Sequence, residues 1–259
     1  MSAPHHGDNA TREERPARAK NRAGDDLAAL AAALAADRDR ALAMTPVSRE
    51  TLARLDRFVE VFLEWQRHTN LIAASSEPVL WTRHIADSLQ LITLAGQGVQ
   101  KASAESQASS RIWVDLGSGA GFPGLVIGCA LADERGAEVH LVESIGKKAS
   151  FLREAALAAG VPAQIHAMRI ADFVKQAPKR IDFVTARALA PLPKLLDEAY
   201  PLLKRGARGL FPKGQDVATE LTEAAKCWNI EATLAESRTD PRARIVVLDR
   251  AEPRRHKHK

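Results

Sequence analysis

Residues 114 to 124 read Val-Asp-Leu-Gly-Ser-Gly-Ala-Gly-Phe-Pro-Gly, and they constrain the fold more tightly than any other stretch of the chain. The apolar run Ile112, Trp113, Val114 suits a buried strand. It stops at Asp115; Gly117, Gly119 and Gly121 follow at alternate positions, and Gly124 opens the apolar stretch Leu125, Val126, Ile127. A strand that feeds a glycine-rich turn and then a helix lets a ligand lie directly on the backbone, because glycine has no Cβ and tolerates positive φ. Ligands of open α/β sheets bind at the carboxyl ends of the strands, so the turn is expected to seat a nucleotide-like cofactor.

Gly119-Ala-Gly121-Phe-Pro-Gly124 fits the dinucleotide pattern G-x-G-x-x-G, a weak signal alone. Two acids point elsewhere. Asp115, two residues before the first glycine, would oppose a pyrophosphate but accept from a cationic or amino-bearing ligand. Glu143 ends the next expected strand, Glu138 to Val142, at the distance where an acid grips ribose hydroxyls. Together they look like an S-adenosylmethionine site. The plain alternatives are a turn-stabilising cap for Asp115 and a helix N-cap for Glu143, ahead of Lys147 and Lys148.

At 259 residues with 46% hydrophobic content, the chain suits one large α/β domain with appendages. Its two cysteines, Cys129 and Cys227, form no metal-ligand spacing or disulfide framework, and both read as buried thiols. Met1 to Arg22 has no apolar core of a secretory signal, and no stretch reaches transmembrane length without charge; the expectation is a cytoplasmic protein with no membrane or metal. The net charge of +5 permits a polyanionic partner without demanding one.

Residues 1–44 read as a disordered or loosely helical arm, with Leu27, Leu30 and Leu34 at helical spacing in its alanine-rich second half. Residues 45–96 read as helices packed on the core. Ser48 caps one to about His68, with Leu52, Leu55, Phe58, Val59, Phe62 and Leu63 inward; Pro78 starts another to about Leu94, with Trp81, Ile85, Leu89 and Ile92 inward. A serine- and glutamine-rich linker, 96–110, follows. Strands near 111–115, 139–143, 163–168, 181–186 and 207–212 then alternate with helices near 122–132, 146–159, 191–204 and 215–226, which predicts a parallel sheet covered on both faces. Strands near 229–236 and 243–249 should form an antiparallel hairpin at the sheet edge, turning at Thr239-Asp240-Pro241. Such a seven-stranded, Rossmann-like, mostly parallel sheet with a reversed last strand and an N-terminal helical extension is the fold of S-adenosylmethionine-dependent methyltransferases. The domain spans 111–250, followed by a basic tail, 251–259.

Between Ser48 and Leu248 the chain resembles the bacterial 16S ribosomal RNA guanine-N7 methyltransferases, the glucose-inhibited division protein B family. The likeness rests on separate blocks in matching order: Trp65 to Leu71, Arg83-His-Ile-Ala-Asp-Ser-Leu89, Asp115 to Gly124, Glu143 to Leu152, Arg187-Ala-Leu-Ala190 and Lys213-Gly214. The resemblance implies methylation of N7 of one guanine in 16S rRNA, alone or in the small ribosomal subunit, with S-adenosylmethionine consumed to S-adenosylhomocysteine. Family cofactor contacts fall on Gly117 and Phe122, on Glu143 at the ribose, on Ile170 and Ala171 at the adenine, and on Arg187; the turn itself adds Asp115, Ser118 and Gly119. The family often has Glu at Ala171; the contact there is largely through backbone, so the position is kept, and the neighbouring Asp172 could supply the carboxylate.

Guanine N7 carries a free lone pair and no proton, so no general base is required. Alignment suffices, and basic residues are expected on phosphates, because a cation close to the base would oppose the positive charge the base gains. Arg83, His84, Asp87 and Lys213 are the candidate substrate-positioning residues. Arg83 and Asp87 read as i,i+4 neighbours on one helix face, where the bland alternative is an ion pair. His84 could be a packing histidine, Arg187 could pair with Asp182 or Asp197, Lys213 could be solvated, and Asn70 could be a helix C-cap. Lys147, Lys148 and Arg153 form a basic face near the second strand, and Arg12, Arg15, Arg18, Lys20 and Arg22 could add salt-dependent RNA affinity. Competing readings are a methyltransferase of the same fold acting on a small molecule or protein, a nicotinamide oxidoreductase, and a non-catalytic RNA-binding module. Nothing calls for more than a monomer.

Overall fold

In the computed structural model, residues 14–97 and 111–254 are described. The expectations for the first 13 residues, for most of the linker and for the end of the basic tail lie outside them, as do the side chains of Arg15, Arg18, Lys20 and Arg22. Seven strands form one sheet in the order β3-β2-β1-β4-β5-β7-β6. They are β1 (Ile112–Leu116), β2 (Glu138–Val142), β3 (Ala163–His166), β4 (Phe183–Thr185), β5 (Arg208–Lys213), β6 (Trp228–Glu236) and β7 (Arg244–Pro253). Pairings among β1 to β5 are parallel, and β7 inserts antiparallel between β5 and β6, so the hairpin forms and its last strand is the reversed one. The central strands are nearly continuous apolar runs because helices cover both faces.

On one face, α4 (Gly124–Leu131) and α5 (Gly146–Ala159) join the N-terminal α2 (Arg49–Gln66) and α3 (Asp87–Gly96); on the other lie α6 (Ile170–Gln176), α7 (Leu192–Leu203) and α8 (Val217–Cys227). Ser48 caps α2 as expected, its hydroxyl accepting from the Thr51 N–H at 3.1 Å. The stripe from α2 meets the sheet layer through aromatic rings: Phe122 of the glycine turn lies 5.4 Å from Phe58 and 5.7 Å from Phe62. Both α2 phenylalanines are fully buried, and removing either ring would cost about 3–5 kcal/mol.

The helix expected from Pro78 to Leu94 is three pieces instead: a 3₁₀ helix, Ala74–Val79, a π-helix, Trp81–Ala86, and then α3. Pro78 sits near the end of the first piece. Trp81, Ile85 and Leu89 still point inward, so the apolar pattern survives while the backbone register changes. The described part of the N-terminal arm is the helix α1 (Glu14–Met44), with Asp37 and Ala41 buried against the rest of the molecule. A short helix missed in sequence, α6, follows β3. Cys129 is buried, which pushes its thiol up to about 12, but Cys227 is exposed at the end of α8, contrary to its apolar context.

Candidate active site

The glycine turn closes with its own carboxylates. Asp115, 1% exposed, accepts from the Thr185 hydroxyl at 2.8 Å and from the Gly124 N–H at 3.1 Å. Burial pushes its pKa up to about 6, against the hydrogen bonds from Thr185, Ser118 and Gly124 that favour the charged form. The contact leaves no room at Gly124, where a Cβ would stand 2.8 Å from the Asp115 carboxylate. Asp115 thus ties β1 to β4 and to the start of α4, and its carboxylate is engaged by the protein. Glu143 accepts from the Gly119 N–H at 2.9 Å and the Ile145 N–H at 2.7 Å, joining the turn to the N-terminus of α5. Gly117 sits at φ +68°, in the left-handed region, and a Cβ there would meet Leu189 at 2.6 Å.

Across the turn stands the π-helix. Arg187, after β4, donates through Nη2 to His84 Nδ1 at 2.6 Å and lies 3.5 Å from the Asp87 carboxylate. Its guanidinium also lies 5.4 Å from the centre of the Phe122 ring, on which the His84 imidazole stacks at 4.9 Å. A guanidinium can only donate, so Nδ1 accepts and the ring proton resides on Nε2, which has no partner among the described residues. Burial, then the charges of Arg187 and Arg83, lower the His84 pKa to about 3, so the ring is neutral at physiological pH. Ala188, next in the chain, takes φ 54°, a left-handed conformation that costs a non-glycine residue about 1 kcal/mol.

Asp87 also joins the hairpin to this wall. Its Oδ1 accepts from Gln90 Nε2 at 2.8 Å and from the Thr239 hydroxyl at 2.9 Å, and Gln90 Oε1 accepts from the Arg238 N–H at 2.9 Å. The β6–β7 turn is thereby drawn over the carboxyl ends of β1, β4 and β5. A cavity of about 1100 Å³ results, bounded by the glycine turn, the π-helix, the loop after β4, the end of β5 and the hairpin turn. Among the described residues six cations line it: Arg83, Lys148, Arg187, Lys213, Arg242 and Arg244. Three of them have carboxylate partners, Arg187 with Asp87, Lys213 with Glu220 at 2.8 Å and Arg242 with Asp240 at 3.4 Å.

Of the expected residues, the cavity brings together Gly117, Ser118, Gly119, Phe122, Arg83, His84, Asp87, Lys148, Arg187 and Lys213. Asp115, Glu143, Ile170 and Ala171 do not line it; the last two open α6, beyond Glu143, with Ala171 exposed and Asp172 paired to Lys175 at 2.8 Å. The Arg83–Asp87 face is a correction. With a π-helix between them the i,i+4 register no longer applies, and Asp87 turns to Arg187, which pairs with neither Asp182 nor Asp197. Lys213 is not solvated: it is held by Glu220 and by the Ala190 carbonyl, at 2.8 Å each. Asn70 lies beyond the α2 cap, which is Arg67. Lys147 donates to the His68 carbonyl, and Arg153 lies outside the cavity. Gln90, Glu220 and Thr239 were missed in sequence; they are ordinary polar residues until the fold sets them beside Asp87 and Lys213.

Comparison with known proteins agrees with this geometry. Residues 51–242 match the protein family described as rRNA small subunit methyltransferase G. A ribosomal RNA small subunit methyltransferase G from Bradyrhizobium sp. strain BTAi1 is 56% identical over 216 residues, 83% of this chain and 92% of that protein. One from Nitrobacter hamburgensis is 57% identical over 220 residues, covering 85% and 80%. Among solved structures, an O-methyltransferase from Bacillus cereus in complex with SAH superposes with a TM-score of 0.52 at 11% identity, covering 85% of this chain and 100% of that one, a likeness of fold.

Proposed function

The chain belongs to the rRNA small subunit methyltransferase G family, and from that membership we propose that it transfers the methyl group of S-adenosylmethionine to N7 of one guanine in 16S rRNA. The observation that carries the reading is a cavity in which the glycine turn faces a cation-lined rim. It supports a polyanionic substrate brought to a cofactor on the turn.

The residues present suit that cofactor. At Gly119 a Cβ would meet only the Gly117 carbonyl oxygen, at 3.7 Å, so the turn offers open backbone against which a ligand can lie. Gly117, Ser118, Gly119 and Phe122 would hold it on the cavity side, Glu143 would accept from ribose hydroxyls once released from the Gly119 N–H, and Ile170 and Ala171 would flank an adenine. Asp115 would support the turn instead of touching the ligand. S-adenosylmethionine supplies, when bound, a methyl on a cationic sulfur that leaves as a neutral thioether.

The protein side of the chemistry is alignment and charge management. N7 needs no base, and His84, neutral and held on Nδ1 by Arg187, is not placed to act as one. The guanine gains positive charge, so cations near it should be compensated, as Arg187, Lys213 and Arg242 are by Asp87, Glu220 and Asp240. Arg83, Lys148 and Arg244, which form no ion pair within 4 Å among the described residues, are left for phosphates. No described helix is long and apolar enough to cross a membrane; the partner proposed from the family is the small ribosomal subunit or its RNA, in the cytoplasm.

The test is transfer of labelled methyl from S-adenosylmethionine to 16S rRNA, free and in 30S subunits, followed by nucleoside analysis. Label in 7-methylguanosine is the expected result. Cofactor binding by calorimetry without transfer to any RNA form would overturn the RNA reading in favour of a small-molecule or protein substrate.

A further inference from the structure

The strongest unassigned feature lies outside the family's matched stretch of 51–242, on helix α1. Asp37 is 0% exposed, and its carboxylate accepts three hydrogen bonds. Oδ2 takes the Thr82 N–H at 2.9 Å, Oδ1 takes the Thr82 hydroxyl at 2.6 Å, and Oδ1 also accepts from Arg40 at 3.0 Å. A carboxylate is buried at high cost unless its oxygens are met, so this arrangement needs both Thr82 donors.

Thr82 is the second residue of the π-helix, directly before Arg83 and His84, and all three line the cavity. The first N–H groups of a helix have no partner within it, and the Thr82 N–H is satisfied by a residue 45 positions earlier. A second contact grips the same turn: Arg38 forms two hydrogen bonds to Asp56 of α2, at 2.9 and 2.7 Å, and its guanidinium lies 5.3 Å from the centre of the ring of Trp81, the first π-helix residue. Residues 81 and 82 are therefore clamped from α1.

That clamp bears on register. A π segment is an uncommon variant, occurring mostly as single turns in α-helices and often at functional sites. Successive residues point about 100° apart in an α-helix and somewhat less in the wider π-helix, so a slip of one residue would carry Arg83 off the cavity and His84 off Arg187 and Phe122. Neither side chain reaches α1 itself in any hydrogen bond among the described residues. Their orientation depends on how the turn that bears them is anchored.

We propose that Asp37 is a positioning residue for the RNA side of the reaction: by holding Thr82 it sets the register of the π-helix, so that Arg83 and His84 face the cavity. This rests on the RNA reading of the cavity. The cofactor side leans on it far less: the backbone of the turn and Glu143 are held through β1, β2 and α5, and of the cofactor-side residues only Phe122 and Arg187 meet His84.

The experiment compares the full-length wild type with Asp37→Ala and Thr82→Val, measuring kcat and KM for labelled-methyl transfer to 30S subunits or 16S rRNA, and S-adenosylmethionine affinity by calorimetry. Absence of transfer by the wild type would count against the RNA reading itself. With the wild type active, Asp37→Ala is expected to lower kcat/KM for RNA by about tenfold or more and to leave cofactor affinity within about twofold. Thr82→Val keeps the backbone donor and loses the hydroxyl, so a smaller loss of about threefold is expected, again on the RNA side alone. Wild-type RNA kinetics in both variants would overturn the proposal, as would equal losses of cofactor affinity and RNA kcat/KM. If Asp37→Ala does not fold, Thr82→Val decides: an RNA-side loss of about twofold or more supports the proposal, and a smaller one overturns it.

Discussion

The two walls of the cavity are built in different ways. The cofactor wall is one contiguous stretch, Asp115 to Gly124, closed by Glu143 from the next strand. The opposite wall draws on four distant places: the π-helix at 81–86, Arg187 after β4, Lys213 at the end of β5 with Glu220 of α8, and the hairpin turn at 237–244, with Asp37 behind them. A contiguous site tolerates few local substitutions and takes little from the rest of the fold. An assembled site depends on contacts of high sequence separation, such as Asp87 with Thr239, and should fail piecemeal.

The largest expected effect tests the contiguous wall. Gly117→Asp puts a side chain at φ +68° with its Cβ 2.6 Å from Leu189, and cofactor affinity by calorimetry should fall by at least about 100-fold while a cooperative thermal transition persists. Retained binding would show that the turn is not the cofactor seat. For the assembled wall, Arg187→Ala leaves Asp87 without its cation and frees His84 Nδ1; kcat/KM for RNA should drop about 100-fold, and the His84 pKa, followed by NMR, should rise because a major depressing charge is gone. An unmoved His84 pKa would break the electrostatic link between the two residues.

The two walls should also titrate with opposite slopes. The His84 pKa is depressed from 6.5 to about 3, so the unfolded chain binds a proton that the folded chain refuses; this contribution to stability is complete above about pH 6.5 and is lost as pH falls toward 3. Asp115 is raised from 3.8 to about 6, so the folded chain keeps a proton the unfolded chain has released, and its contribution weakens as pH rises from 3.8 to 6. Urea denaturation across pH 4–6.5 should show the wild type losing stability relative to His84→Asn at about 1.4 kcal/mol per pH unit on acidification. A pH-independent difference would mean that His84 is not held neutral by its surroundings. The smallest effect concerns the loop after β4. Ala188→Gly relieves a φ of 54°, partly offset by glycine's greater freedom when unfolded, so stability should rise by under about 1 kcal/mol, read as a higher denaturation midpoint.

The legible part of the molecule was the part governed by local rules. Alternating apolar runs and turns place all seven strands, and the Ser48 cap and the α2 stripe place a helix, because burial on both sheet faces and helical periodicity act within a few residues. Local rules missed the break of the Pro78 helix into 3₁₀, π and α pieces, since an apolar pattern of Trp81, Ile85 and Leu89 is compatible with more than one register. They also cast Arg83 and Asp87 as partners, where the fold offers Asp87 a closer-matched cation in Arg187. The bland alternative for Asp115, a turn brace, is present in the geometry; the one for Glu143, a helix N-cap, is not, because Ile145 caps α5 and Glu143 accepts from the N–H of that cap residue.

By itself, then, the sequence determined the parallel sheet, the glycine turn on β1 and the acid ending β2, since these follow from backbone sterics and burial within short segments. Only the tertiary structure decided which charges are compensated, that α1 anchors the π-helix through a buried carboxylate, and that Gln90 and Thr239 hold the hairpin turn against Asp87. The reason is physical. A hydrogen bond or ion pair between residues 45 or 152 positions apart leaves no periodic trace in the chain, and its strength depends on a desolvation that exists only after the layers have packed.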